Sequence, residues 1–232
     1  MPRWVAGLFS DEIVDFSRTI QYPGGEPEVR PWQGRPFTAT VRVVCASCNN
    51  GWMSRLESEA APVLAPLMRN EPRRLGPVEQ HLVATWAVKT MLMLRLIAGD
   101  DDDGELGAEP YEHMTRFCSP PPAEQVWIAS YAGEGQWPMT FHYFAVTVAR
   151  EGERPPATPN AHCASFAVGH LAFALAGNRL VNGPVAVQRN PPETWRVLWP
   201  ALGESIEFPP PAALAGDSEM RSFATPQEWR AA

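Results

Sequence analysis

"RRLGPVEQHLVATWAVKTMLMLRLIAGDDDDG", residues 73–104, is the stretch around which the rest of the chain must arrange itself. Pro77 suits the first turn of a helix, where a missing N–H costs nothing. Beyond it Leu82, Val83, Trp86, Val88, Met91, Leu94 and Ile97 leave almost no polar face, so the spacing predicts a helix over 77–98 that is apolar nearly all round. Such a helix has to be covered on every side, which makes it central. Glu79, His81, Lys89 and Arg95 within it argue against a membrane span. Gly99 and the acidic run Asp100–Asp103 stop it, and that run reads as a solvated loop.

The C-terminal half of the chain supplies the cover. "EQVWIASYAG" (124–133), "MTFHYFAVTVARE" (139–151), "HCASFAVGHLAFALAG" (162–177), "VAVQ" (185–188) and "TWRVLW" (194–199) are short, aromatic or β-branched, and divided by Gly, Pro and Asn turns. Met139, Phe141, Tyr143 and Ala145 alternate with period two, as in a sheet with one buried face. The tail, "PALGESIEFPPPAALAGDSEMRSF" (200–223), reads as a proline-punctuated wrap. The expected class is α+β: a small metal-type module over residues 1–70, then a domain over 71–232 holding the buried helix and a mostly antiparallel sheet.

In the front module, "MPRWVAGLFSDEIVDF" (1–16) has the composition of a short amphipathic helix, and "QYPGGEPEVRPWQGRP" (21–36) that of a Gly/Pro-rich loop. "FTATVRVVC" (37–45) looks like a strand. From Asn49 the pattern turns helical, with Trp52, Met53, Leu56 and Ala60 at three- and four-residue steps; Pro62 is expected to end or kink that helix and Pro66 to limit it. Hydrophobic residues at 45% and charged residues at 19% suit a compact protein of this length. A net charge of −7 argues against a surface made wholly for nucleic acid, although residues 1–75 carry +1 and the remainder −8. No apolar core precedes Asp11 and Glu12, so no signal peptide is expected and the predicted location is the cytoplasm.

Cys45 and Cys48, in "VRVVCASCNNGWMSRLESEA" (41–60), carry the chemistry. Two thiols three positions apart, at the end of a strand and the start of a helix, form a zinc knuckle; thiolates are the soft ligands zinc prefers. A redox dithiol is the competing reading, and ordinary buried cysteines the third.

"VVCASCNNGWMSRLESEAAPVLAPLM" followed by "LVATWAVKT" resembles a group of bacterial HNH-endonuclease-like proteins, whose second knuckle reads C-x-x-C-N-N-x-W-M and is followed by a W-x-x-K-T helix. "MPRW", "VWIASY", "FAVGHLAFAL" and "LWP" extend the similarity over nearly the whole chain. The resemblance implies a ββα-metal (treble-clef-like) element in which two C-x-x-C pairs hold a structural zinc and a histidine activates water. One divalent cation, Mg²⁺ or Mn²⁺, stabilises the leaving oxygen as a DNA phosphodiester breaks, and an asparagine orients the histidine. On that pattern Cys45 and Cys48 match the second zinc pair and Asn49 the asparagine. Glu57 is a cation ligand by reach along the helix, not by motif match.

The pattern's first C-x-x-C and its Glu-His precede the Pro-x-Trp segment, with which this chain opens, and no histidine occurs before His81. Either the start lies at an internal methionine of a complete enzyme, or the chain is a truncated relative with weak or no activity. The alternative function is a non-catalytic module that binds protein or nucleic acid and keeps a vestigial knuckle.

Cys118, or His162 with Cys163, could complete a zinc site, but lone cysteines are more often buried. His142 and His170 read as core or sheet-face residues, and His81 and His113 as surface ones. Trp52 is expected to cover the small module; Trp86, Trp127, Trp195 and Trp199 read as core anchors. Arg42, Arg55, Arg69, Arg73 and Arg74 surround the motif and could contact phosphates.

Overall fold

The computed structural model describes residues 3–9, 14–20, 28–34, 44–98, 107–133, 139–149, 152–154, 156–179 and 193–224. The central helix, α4 (Pro77–Ala98), has the predicted bounds. Every side chain from Val83 to Leu92 is buried, including the polar Thr85, Lys89 and Thr90.

Five antiparallel strands form the main sheet in the order β5-β6-β7-β4-β8: β4 (Glu124–Ser130), β5 (Met139–Val146), β6 (Ala161–Val168), β7 (Leu171–Asn178) and β8 (Arg196–Trp199). The fold is α+β, as expected. Period-two alternation sorts each strand between two cores. Val126, Ile128, Ala164, Phe166, Phe173 and Leu175 face α4, where Trp86 packs 6.3 Å from Phe166 and 5.9 Å from Phe173 between ring centroids. Trp127, Ala129, Cys163, Ala172 and Ala174 face the opposite way, onto α6 (Asp217–Ala224), with Trp195 and Phe223 sealing that layer.

Helix α3 (Ser54–Met68) joins the α4 core through Ala60, Val63, Leu64, Leu67 and Met68, so apolar packing is continuous across residue 70. It does not end at Pro62, and it stops at Met68, two residues beyond Pro66, the residue expected to limit it. Pro66 has no N–H for the carbonyl of Pro62, and Arg73 Nη1 donates to that oxygen instead, at 3.4 Å. The apolar face then repays the lost ladder bonds.

Four further segments differ from the sequence reading or add to it. After α1 (Arg3–Ala6), β1 (Val14–Ile20) and β2 (Glu28–Gly34) pair as an antiparallel ladder, where the composition suggested a helix and a loop. The stretch 162–177 is two strands, not one, with Gly169 and His170 at the turn; His170 is therefore exposed, its Nδ1 3.0 Å from the Tyr131 carbonyl. Helix α5 (Glu109–Phe117), a segment without an assignment in the sequence reading, precedes β4 in the chain. The tail holds β9 (Ile206–Phe208), which pairs with β3 (Arg73–Leu75), as well as α6. The expected strands over 37–43 and 185–188 lie outside the described residues.

Candidate metal centre

Cys45 caps the short helix α2 (Ala46–Cys48) from an extended backbone, and its sulfur accepts the Cys48 N–H at 3.3 Å. The Ser47 hydroxyl stands 3.1 Å from the same sulfur. Hydrogen bonding by Ser47, then by the thiol and N–H of Cys48, lowers the Cys45 thiol to about 7. Cys48 moves the other way: its thiol is raised first by the hydrogen bond to Cys45, then by burial and by the charge on Cys45. One thiol of the pair is thus ready to ionise, and the second resists until something removes the first charge.

After Cys48 the chain makes a wide, irregular helical passage, Asn49–Met53, with Gly51 off helical geometry, before α3 begins. That passage turns Trp52 inward. Its Nε1 is buried with no hydrogen-bond partner, and the indole is one of the groups that favour ionisation of the Cys48 sulfur. An orphan N–H beside a sulfur is what a metal-bound thiolate uses, since it accepts hydrogen bonds where a thiol scarcely does. Two neighbouring sulfurs, one exposed and one half-buried, a helix opening beneath them and this spare donor suit zinc better than a hard cation. A lowered Cys45 thiol also suits thiol–disulfide exchange.

Asn49 lies beside the cysteines: its N–H donates to the Cys45 carbonyl at 3.0 Å, and its exposed side chain meets Asn50 Oδ1 at 3.4 Å. Glu57 is not part of this group. It sits further along on α3, and its carboxylate faces the core, accepting Trp4 Nε1 at 2.8 Å, Trp86 Nε1 at 2.9 Å and the ammonium of Lys89. Any cation bound there would compete with three N–H donors. Sequence reasoning missed this brace, although the signal was present. The only lysine of the chain stands on its most apolar helix, and a buried ammonium needs a carboxylate.

The other ligand candidates are scattered. Cys118, in a left-handed conformation at the end of α5, is raised by burial and by the charge of Glu59, so it faces α3. His162 and Cys163 point to opposite faces of β6, which prevents them from sharing an ion. His142 pairs with Asp217 at 2.9 Å, and His81 meets Ser119 at 3.1 Å and the Trp199 ring at 5.3 Å. His113 lies 4.7 Å from the Phe117 ring. Among the described residues, no three His, Cys, Asp or Glu side chains are close enough together to hold a metal ion. No described helix is long and apolar enough to cross a membrane. No family model matches the chain, and comparison with curated proteins and with solved structures finds no similar protein.

Proposed function

We propose that residues 44–68 are one half of a treble-clef-like zinc knuckle, and that the chain is an HNH-endonuclease-like protein acting on DNA in the cytoplasm. Cys45 and Cys48 contribute two thiolates to a structural zinc; Asn49 stands in the position that orients the water-activating histidine. The observation that carries this reading is the Cys48 N–H on the Cys45 sulfur at a helix opening, with the spare Trp52 donor behind it. Hydrolysis needs a base to activate water and Mg²⁺ or Mn²⁺ at the leaving oxygen. With no histidine among residues 1–80, the 232-residue chain nicks plasmid DNA weakly or not at all. Robust nicking abolished by Asn49→Ala would place the base elsewhere and overturn that part. Purified protein is expected to hold zinc near one per chain, lost in Cys45→Ser/Cys48→Ser; protein without zinc at any stage of purification contradicts the knuckle.

A second reading has its own support. Glu57 is saturated by two indoles and an ammonium, which is the work of a brace and not of a cation ligand. A non-catalytic module that binds protein or nucleic acid, with the knuckle as a strut, needs nothing more from it. DNA or protein binding without nicking, unaffected by Mg²⁺ and by Glu57→Gln, supports this reading, and Mg²⁺-dependent nicking that Glu57→Gln abolishes supports the nuclease.

A further inference from the structure

One end of the main sheet, beneath α5, holds a group of residues that the knuckle does not involve. Three strands lie side by side there: Glu124 of β4 is paired with Gly177 of β7, and Gly177 with His162 of β6. All three positions belong to the α4 face, because Val126, Leu175 and Ala164, two residues along each strand, line that core. With no side chain at 177, the carboxylate and the imidazole meet above the middle strand, Glu124 Oε1 lying 3.2 Å from His162 Nε2. A Cβ at 177 would come within 3.0 Å of both groups. Glycine is required here for the close approach.

The pair is costly. Its side chains are 5% and 2% exposed, yet His162 Nε2 makes no hydrogen bond despite its nearness, and Glu124 Oε2 has no partner. A buried carboxylate with an unused oxygen loses stability that an apolar pair would keep. The imidazole is nonetheless held in place: Tyr143 stacks on it at 5.9 Å and 13°, and the buried Arg95 guanidinium covers Tyr143 at 5.3 Å. A cavity of about 350 Å³ opens beside the pair, walled by Pro121, His113, Asn160 and Arg179. Arg179, just past the end of β7, lines the same cavity; its N–H is fixed at 2.8 Å from the Asn160 carbonyl, and its guanidinium reaches toward Gly107.

We propose that this cleft binds a small carboxylic acid bearing a hydroxyl or amino group. Arg179 takes the carboxylate, Glu124 Oε2 accepts the ligand's O–H or N–H, and His162 shares the same group. A simple anion would meet Glu124 and a simple cation would meet Arg179; a molecule with both ends satisfies both. The volume falls within the range of small-molecule sites, and Pro110, Pro121, Pro122, Ala123 and Ala161 supply its apolar wall beside the polar groups, with Glu109 a second carboxylate in the lining.

The test is histidine ring NMR on the full chain, with the His162 signal assigned from its absence in His162→Gln, during titration with glycolate, glycine and acetate. Glycolate or glycine is expected to shift that signal saturably, and the better of the two identifies the donor as hydroxyl or ammonium. Acetate, which lacks the donor, is expected to bind about tenfold more weakly, the effect of one hydrogen bond to a charged group. Arg179→Gln, at the exposed rim, weakens binding by at least about tenfold with the spectrum otherwise native, and Gly177→Ala abolishes it. Absence of a saturable shift with all three acids overturns the proposal, as does full affinity in Arg179→Gln.

Discussion

Glu57 and Lys89 show how one buried charge dictates its neighbours. The ammonium is 7% exposed and the carboxylate 15%, so neither is solvated enough to stand alone. Lys89→Met leaves Glu57 bonded to two indoles, whereas Glu57→Leu strands an ammonium and two N–H donors at once. Each change is expected to destabilise by roughly 3–5 kcal/mol, with Glu57→Leu at the upper end. Urea unfolding of the two variants decides the order, and equal, small effects would mean that water reaches the brace. His81 makes a pH-dependent contribution of its own. Burial lowers its pKa, so the unfolded chain, titrating near 6.5, takes up a proton first. Its contribution is complete above about pH 6.5 and is lost as pH falls through the lower folded-state value. His81→Gln is expected to flatten the stability profile in that window. Asp217, lowered first by its hydrogen bond to His142 against the opposing effect of burial, acts only further down, below about pH 3.9.

At the scale of elements, the turn between β6 and β7 must fit under the end of α3. Gly169 has φ +58°, and a Cβ there would lie 2.7 Å from the Met68 carbonyl and 2.8 Å from the Phe9 ring. His170 N–H bonds the same carbonyl at 3.0 Å, so the backbone has no room to move away. Gly203, at φ +82°, has nothing within 4 Å of its Cβ direction. Gly169→Ala is therefore expected to cost roughly 2–5 kcal/mol, strain and overpacking together, and Gly203→Ala about 1–2 kcal/mol from strain alone. Thermal unfolding of the pair measures the difference. Legibility followed the same physics. Helix α4 and the long strands were readable because burial imposes a period on every residue in them. Helix α3 continues past Pro62, where an end was one of two expectations, because tertiary packing and Arg73 offset the missing backbone bond. The β1–β2 pair was hidden by Pro31 and the glycines around it, and α5 went unassigned because its mixture of charged and apolar residues gives no clear period. For the two cysteines, spacing alone was enough to bring Cys45 beside Cys48. The inward turn of Glu57, and the meeting of Glu124 with His162 above a glycine, depend on register between distant strands and helices, which local pattern does not encode.

At the scale of the whole molecule, the question is whether the proposed zinc would hold the fold together or merely decorate it. In small zinc domains the ion supplies the folding energy, and the chain is unfolded without it. Here the helix after the cysteines buries Leu56, Val63, Leu64, Leu67 and Met68, worth on the order of 10 kcal/mol of apolar transfer at 1.5–3 kcal/mol each. All but Leu56 belong to the core shared with α4 and the sheet. Cys45 is exposed and Cys48 half-buried, outside that core. The double variant Cys45→Ser/Cys48→Ser is therefore expected to lose any bound zinc while keeping a single cooperative transition, with Tm lowered by no more than about 5 °C, since each kcal/mol moves a chain of this size by about 2–4 °C. Calorimetry with metal analysis on the same samples tests this directly. A fall beyond about 15 °C, or loss of the cooperative transition, would mean that α3 docks only when the knuckle is closed. The shared core would then be a consequence of metal binding instead of its foundation, and the Glu57 brace would be expected to fail with it.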